Sequence, residues 1–394
     1  MFSPEASYRF PDLKEGLPVA DILRFADKLG PAKIIQVYEP TIDLKAVLVI
    51  DNIAMGPAIG GIRMAPDVSI EECIRLARTM TLKNAAAGLS HGGGKTVVYA
   101  DPKVPKAEKE RLIRSLACAL RNFPEYVMGP DMGTDEECMA WIKDEINSHN
   151  VIGLPAESGG IPIDQIGATA WGLRHAVEVA LPYGGFPAGF TLAQARLAIQ
   201  GFGAVGKNAA RFLAEQGAVL VGVADSQGSV YDPNGLEVES LIALKDAGKS
   251  VVDYPKGEKF DRDAVVGFNC DIWIPAARPD VVNEDNMQRL QAKMVVEGAN
   301  IPVTEGAEKY LYEKGVLCIP DFIANSGGVI SAAMEYRGKI ESEAIEIIQD
   351  KVRTNTRLIL EEARNKNIPP REAAMNLAVG RVERAMSYKR WSIY

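Results

Sequence analysis

The junction around residue 201 restricts the fold more than any other stretch of this chain. An apolar strand pattern, Leu197 to Gln200, runs into Gly201, Gly203 and Gly206, and a helix pattern from Lys207 to Glu215 takes over. A second strand pattern ends at Asp225, about twenty residues beyond the last glycine. Gly-x-Gly-x-x-Gly alone is a weak signal. Set between strand and helix, with an acid closing the next strand, it marks a dinucleotide-binding unit. The glycines admit a tight turn and close approach of a pyrophosphate, whose charge the helix N-terminus stabilises. Asp225 is placed to accept from ribose hydroxyls and to repel a 2′-phosphate, which favours NAD; Ser226 beside it leaves NADP admissible. Strand patterns at 270–277, 293–300 and 316–321 alternate with helical ones, so a parallel, doubly wound α/β sheet is expected.

Ahead of this unit, residues 69–102 form the other dense stretch. Ser69 and Glu72 have capping-box spacing, and Ile70, Cys73, Ile74, Ala77 and Thr81 recur at helical spacing. Lys83 falls near the end of that helix. Gly92, Gly93 and Gly94 then read as a turn, and Lys95 heads a β-type run, Thr96 to Tyr99. Two lysines are thereby delivered close together, where each disfavours the other's charge and a lowered pKa follows. Most lysines are solvated surface groups, but the string Met80–Leu89 is too apolar for an exposed stretch. A strand is expected over 44–52, two small turns over 56–63, and helices over 18–29, 106–123, 341–365 and 370–388. Asp131, between Gly129 and Gly133, reads on its own as a turn residue. A Gly/Pro-rich segment, 153–162, and the helix behind it cross to the second unit, and 185–195 is a linker.

With 394 residues, 47% hydrophobic and 24% charged, the chain has the make-up of about two globular domains. A net charge of −8 without a basic run speaks against nucleic acid or an anionic membrane as partner. The five cysteines lack metal-ligand spacing and the three histidines show no pairing, so no metal is expected. No apolar run approaches the roughly twenty residues that span a bilayer, and the first residues lack a secretory pattern. The expectation is a cytoplasmic protein whose thiols are free and mostly buried.

The strings GPAIGGIRM, MTLKNAAAGL and HGGGKTVV, in that order and spacing, resemble the glutamate/leucine/phenylalanine/valine dehydrogenase family, and its leucine branch most. EGANIP and PDFIANSGGV resemble it too, in wording nearer the glutamate branch. The resemblance covers about residues 57–336. It implies an N-terminal α/β substrate domain (1–170), a Rossmann-type doubly wound domain (171–335) and C-terminal helices (336–394) that return to the first. It implies a homo-oligomer that deaminates an L-amino acid to its 2-oxo acid and ammonia, reversibly, with NAD. By the same resemblance Lys95 and Asp131 are catalytic, Lys83 and the Gly60 backbone hold the α-carboxylate, and Asn325 orients the amine. Ile59, Gly129, Val329 and Ala332 surround the substrate's side chain. Thr169, Ala276, Asn300 and Asn325 join Gly201, Gly203, Gly206, Asp225 and Ser226 at the cofactor.

Two positions depart from the glutamate branch, where a lysine stands at Ile59 and a serine at Ala332 to hold the side-chain carboxylate. Their loss points to leucine or another branched-chain amino acid, with aromatic ones admitted because Gly129 and Ala332 are small; glutamate is the alternative. A non-catalytic NAD-binding sensor would lack Lys83, Lys95 or Asp131, and all three are present. A hydroxy-acid dehydrogenase would need a histidine with an acid partner, and His91 has none in sequence.

Overall fold

The computed structural model describes residues 24–391 and contains two sheets. The first joins β1 (Lys33–Glu39), β2 (Leu44–Asn52), β3 (Ala58–Met64), β4 (Gly92–Val98) and β5 (Tyr126–Pro130) in the order β1-β2-β4-β3-β5. β2 runs antiparallel to β1 and β4, whereas β3 runs parallel to β4 and β5. A parallel pair needs a crossover, and helix α1 (Ile70–Ala86) supplies it between β3 and β4. Ser69 caps this helix by accepting the Glu72 N–H at 3.1 Å, and Cys73, Ile74, Ala77 and Thr81 are buried. The Glu72 carboxylate does not close the capping box; it bonds Arg63 at 2.6 Å. Helices α2 (Lys106–Leu120) and α3 (Glu136–Ile146) pack with one another in the apolar core of this domain.

The three glycines expected as a turn lie inside β4, which is buried throughout. Their neighbours explain the composition. A Cβ at Gly92 would lie 1.8 Å from the Asn52 carbonyl oxygen, and one at Gly93 would lie 2.0 Å from the Thr81 nitrogen. One at Gly94 would lie 2.9 Å from the Tyr126 ring. The missing side chains therefore let β2, α1 and Tyr126 close on the strand. The stretch expected as two turns is β3 from Ala58 onward, and Gly60 is pressed so closely on the Gly94 carbonyl that a Cβ would fall 1.8 Å from it. The helix expected over 18–29 begins outside the described residues; from Arg24 to Leu29 the chain forms turns and bends.

Helix α4 (Ala168–Ala180) runs straight across the boundary expected at 170. The second sheet joins β6 (Arg196–Gln200), β7 (Val219–Ala224), β8 (Ser229–Tyr231), β9 (Glu258–Phe260), β10 (Ile272–Pro275), β11 (Met294–Val296) and β12 (Leu317–Ile319). Its order is β12-β11-β10-β6-β7-β8-β9. The strands from β12 to β7 are parallel, as the alternation predicts. A tight hairpin, with the Asp225 N–H on the Gly228 carbonyl at 2.9 Å, turns β8 antiparallel to β7, and β9 in turn runs antiparallel to β8. Helix α5 (Ala204–Ala214) follows the glycine motif, and α6 (Val238–Asp246), α7 (Glu305–Glu313), α8 (Asp321–Ala324) and α9 (Gly327–Tyr336) complete the domain.

The chain then returns. Helices α10 (Glu341–Lys366) and α11 (Pro370–Ser387) pack together, and α11 lies against α1. Arg381 on α11 donates to the Ala85 and Ala86 carbonyls, both at 2.9 Å, at the end of α1. One apolar cluster accordingly holds Ile59, Ala85 and Ala86 together with residues of α4, α9, α10 and α11. Cys118 is exposed while the other four cysteines are buried, and all five are free. Among the described residues, no helix is long and apolar enough to cross a membrane, and no acid, cysteine or histidine cluster could hold a metal.

Candidate active site

β3, β4 and β5 bring three charges to one point. Lys95 on β4 is 6% exposed, and its ammonium forms an ion pair with the Asp131 carboxylate just beyond β5. Arg63 on β3 donates from Nε to the same Asp131 oxygen at 3.0 Å and from Nη1 to Glu72. Burial alone would raise the Asp131 carboxyl; Lys95 and Arg63 outweigh it and hold the group below the ordinary carboxylate value. The Asp131 turn is fixed by Thr134, which accepts the Asp131 N–H at 3.0 Å and donates to the Ile62 carbonyl at 2.7 Å. A second relay runs underneath. Thr96 donates to the Tyr126 hydroxyl at 3.1 Å, and Tyr126 donates to the Gly60 carbonyl at 2.9 Å. Arg63 went unassigned in the sequence, although it closes the GGIR string and follows Ile62, whose side chain is wholly buried.

Lys83 occupies the last turn of α1, where a cation suits the helix dipole. It makes no ion pair among the described residues; its one polar partner is Asn300 Oδ1 at 3.3 Å, across the domain junction. Protein surrounds the ammonium although solvent still reaches it. That desolvation lowers its pKa, Lys95 lowers it further, and Asp321 opposes both. Lys95, the other lysine, is bound by the Asp131 carboxylate. Asn325, at the end of α8, is 5% exposed and donates to Asn300 Oδ1 at 3.1 Å and to the Ala299 carbonyl at 3.3 Å. Its own carbonyl oxygen is buried without a partner.

Ile59 is 3% exposed and belongs to one apolar cluster with Val127, Ile152 and Ile161, at whose edge lie Ile163, Val329 and Ala332. Gly129 closes on the same cluster, since a Cβ there would sit 3.2 Å from the Ile152 side chain. His91 is buried, 3.3 Å from the Pro57 carbonyl and edge-on to Tyr336, with no carboxylate partner; burial lowers its pKa.

On the cofactor side the three glycines differ. Gly201 has φ +94° and abuts Ala276 and Ala277, while a Cβ on Gly206 would lie 1.9 Å from the Gly201 carbonyl. Gly203 alone faces open space, and it caps α5 with no side chain over the helix N-terminus. Here β6 and β10 diverge at the switch point of the sheet, above a cavity of about 310 Å³ lined by Gly201, Gly203, Asp225, Ser226, Lys245 and Arg278, among others. An open, uncapped helix start beside such a cavity fits a dinucleotide pyrophosphate. Thr169, in the first turn of α4, lies close to Gly328.

Asp225 departs from its expected part. One of its oxygens accepts the Gln227 N–H and the Ser250 hydroxyl, both at 2.9 Å. The other accepts from Lys245 Nζ at 2.8 Å and from the Val251 N–H at 3.0 Å. Burial would raise this carboxyl, and those donors, Lys245 first, pull it below its ordinary value. A carboxylate offers about four acceptor sites, so Asp225 has none to spare for ribose hydroxyls, and Lys245 offsets the charge meant to repel a 2′-phosphate.

Residues 159–390 match the family described as Glutamate/Leucine/Phenylalanine/Valine dehydrogenase, and residues 32–148 match the Glu/Leu/Phe/Val dehydrogenase, dimerisation domain. The chain belongs to this family. It is 37% identical to a glutamate dehydrogenase of Aeropyrum pernix over 86% of this chain and 85% of the relative. It is 36% identical to an NADP-specific glutamate dehydrogenase of Saccharolobus shibatae over 85% of this chain and 82% of the relative. The hetero-hexameric glutamate dehydrogenase from Thermus thermophilus, solved in a Leu-bound form, superposes with a TM-score of 0.78 at 28% identity, covering 92% of this chain and 91% of that one. Membership makes the protein an NAD(P)-dependent oxidoreductase of the amino-acid dehydrogenase family, acting on a CH–NH2 group.

Proposed function

We propose that this dehydrogenase reversibly deaminates an L-amino acid to its 2-oxo acid and ammonia, with the chemistry at the Lys83–Lys95–Asp131 group. One observation carries the reading: two buried or half-buried ammonium groups share the site, one neutralised by Asp131 and the other left without a carboxylate. The unpaired cation, Lys83, is the anchor for the substrate α-carboxylate. The amine proton passes to Asp131 before Cα loses hydride, and Asn325 presents its unpartnered carbonyl to the amine. Once Asp131 has passed that proton to solvent, water held by the Lys95 ammonium adds to the resulting iminium carbon and gives its proton to the Asp131 carboxylate. Asp131 returns it to the carbinolamine nitrogen, and ammonia leaves as the carbinol hydroxyl gives its proton back to Asp131. Because Lys95 and Asp131 are paired, a proton arriving at either is held by both. A bound nicotinamide dinucleotide would supply the hydride acceptor, and Gly201, Gly203, Gly206, Ala276, Thr169 and Asn300 are the residues we assign to hold it.

For the amino acid itself, glutamate comes first, because both relatives named above are glutamate dehydrogenases. This reverses the ranking drawn from the pocket residues alone. A second reading, an apolar amino acid, rests on Ile59, an alkyl group in an apolar cluster with no cation among its members. The match to a dimerisation domain supports a homo-oligomer. Purified protein mixed with ammonia, NADH or NADPH and a panel of 2-oxo acids tests these points by loss of absorbance. Turnover with 2-oxoglutarate above that with 4-methyl-2-oxopentanoate upholds glutamate, the reverse upholds the apolar reading, and no turnover with any acid refutes the function.

A further inference from the structure

Behind the Asn300 turn lies a buried charge cluster that the reaction scheme does not use. Arg371, in the first turn of α11, donates to Glu308 on α7 at 2.5 Å, to Asp321 at the start of α8 at 3.0 Å and to Glu297 after β11 at 2.7 Å. Three carboxylates thus meet one guanidinium. Glu297 is wholly buried, and one oxygen each of Glu297 and Glu308 has no hydrogen-bond partner. Burial pushes Glu297 up to about 8 and raises Glu308 as well, Arg371 opposing in both cases. Such an excess of buried acid is costly and poor at stabilising a fold by itself.

What the cluster holds is specific. Glu297 accepts the Asp321 N–H at 3.1 Å, and Asp321 Oδ2 accepts the Ile301 N–H at 2.9 Å. Ile301 has φ +48°, a conformation a β-branched residue adopts only when its surroundings impose it. Between Glu297 and Ile301 stand Gly298, Ala299 and Asn300, whose oxygens take the Asn325 amide, and Asn300 Oδ1 also takes Lys83. The chain of contacts therefore runs from the C-terminal helix, through Asp321 and the strained turn, to the one unpaired ammonium of the site.

We propose that Arg371 is a positioning residue for the deamination reaction: by gathering Glu297, Glu308 and Asp321 it fixes the Glu297–Ile301 turn so that Asn300 and Asn325 meet Lys83 across the domain junction. The inference rests on the reading of Lys83 as the carboxylate anchor. The charged groups that bear on Lys83 are Asp321 from the second domain and Lys95, itself paired with Asp131, from the first. Asp321 is the favourable one, so the cluster orients the turn and also keeps Lys83 charged.

The test uses full-length Arg371→Met, Arg371→Lys, Asp321→Asn and Lys83→Ala proteins, with KM for the amino acid, kcat, NADH affinity by fluorescence and Tm measured for each. Arg371→Met is expected to raise KM by about tenfold or more with little change in NADH affinity, and Arg371→Lys to recover part of it. Asp321→Asn keeps an acceptor for Ile301 but removes the charge facing Lys83. Its KM is expected to start climbing at a lower pH than that of the parent. Arg371→Met with an unchanged KM at a lowered Tm overturns the proposal and leaves a purely structural cluster. If Arg371→Met does not fold, an unshifted KM–pH curve for Asp321→Asn overturns it. Lys83→Ala separates the two readings: an unchanged KM there refutes the anchor itself.

Discussion

Replacing Asp131 by Asn removes one charge from the meeting point of two cations while keeping size and one acceptor. The structure sets what this costs. Arg63 retains Glu72 at 2.6 Å, so only Lys95 is stranded. An unpaired buried ammonium costs about 3–5 kcal/mol in a sealed interior. The Lys95 side chain is only 7% exposed, so solvent relieves little of that, and a loss of about 3 kcal/mol with a fall in Tm of several degrees is expected. The rate loss should be far larger, about 100- to 10,000-fold in kcat, because the neutral amide cannot take the amine proton. NADH affinity should stay within about twofold, since the glycine motif lies in the other domain. The pH dependence gives a further check. The Asp131 carboxyl is held below its ordinary value of 3.8, so its stabilisation is fully present above about pH 4 and is lost as pH falls through the folded value. Parent and variant should converge in Tm on acidification. A variant that keeps a tenth of parental kcat, or a Tm gap that persists at the lowest pH where both fold, would refute the assignment.

Ile59→Lys should lower kcat/KM for leucine by about tenfold or more, because an ammonium replaces an alkyl wall, and an unmoved value would remove Ile59 from the pocket wall. Because Asp225 is saturated by its own domain, Asp225→Asn should lower Tm while shifting the NADH/NADPH affinity ratio by less than about threefold; fluorescence titration and thermal melts decide it. Gly93→Ala should fail to fold, since the atoms its Cβ would meet belong to the α1 backbone, whereas Gly203→Ala, in open space, should fold normally and weaken dinucleotide binding. Glu297→Gln should flatten the Tm–pH curve between about pH 4.5 and 8. In the parent the folded state keeps a proton there that the unfolded chain gives up, so stability falls as pH rises across that window. An identical curve for the two proteins would show that Glu297 is ionised throughout.

What could be read from the sequence was what local pattern determines. Apolar periodicity located α1, β2 and the C-terminal helices, and the strand–glycine–helix order located the dinucleotide site, because these depend on residues a few positions apart. The misreadings share one cause, a partner distant in the chain. Gly92–Gly94 look like a turn because glycine usually is one; only Asn52, Thr81 and Tyr126 reveal that three neighbours demand their absence of side chains. Asp225 looks free until Lys245, Ser250 and Val251 fold back on it. Arg63 looks like the tail of a motif until Asp131 arrives from β5. Arg371 lies 74 residues from Glu297, and no spacing rule connects them.

The relatives' names and the pocket wall are also separate observations about the substrate. Identity of 37% is spread over 362 aligned residues, and most positions in a domain answer to packing. The clearest cases here are Gly60, Gly92 and Gly93, where a Cβ would land within about 2 Å of a backbone atom. Such positions specify a backbone that carries Lys83, Lys95 and Asp131 to one place. In the proposed site, side-chain selectivity would rest on Ile59, Gly129, Val329 and Ala332, too few to alter an overall identity. A single ammonium at position 59 is worth several kcal/mol to a buried carboxylate, whereas each apolar methylene gains about 0.8 kcal/mol against an alkyl wall. The amino acid used therefore follows from whether a donor for a side-chain carboxylate reaches that wall. Lys83 is the cation of the site without an ion pair among the described residues, and it can serve only one carboxylate at a time. If glutamate is the substrate, a second donor has to come from domain closure or a neighbouring subunit, and Ile59→Lys should then improve glutamate turnover only slightly; a large gain would mean that the parent site lacks one.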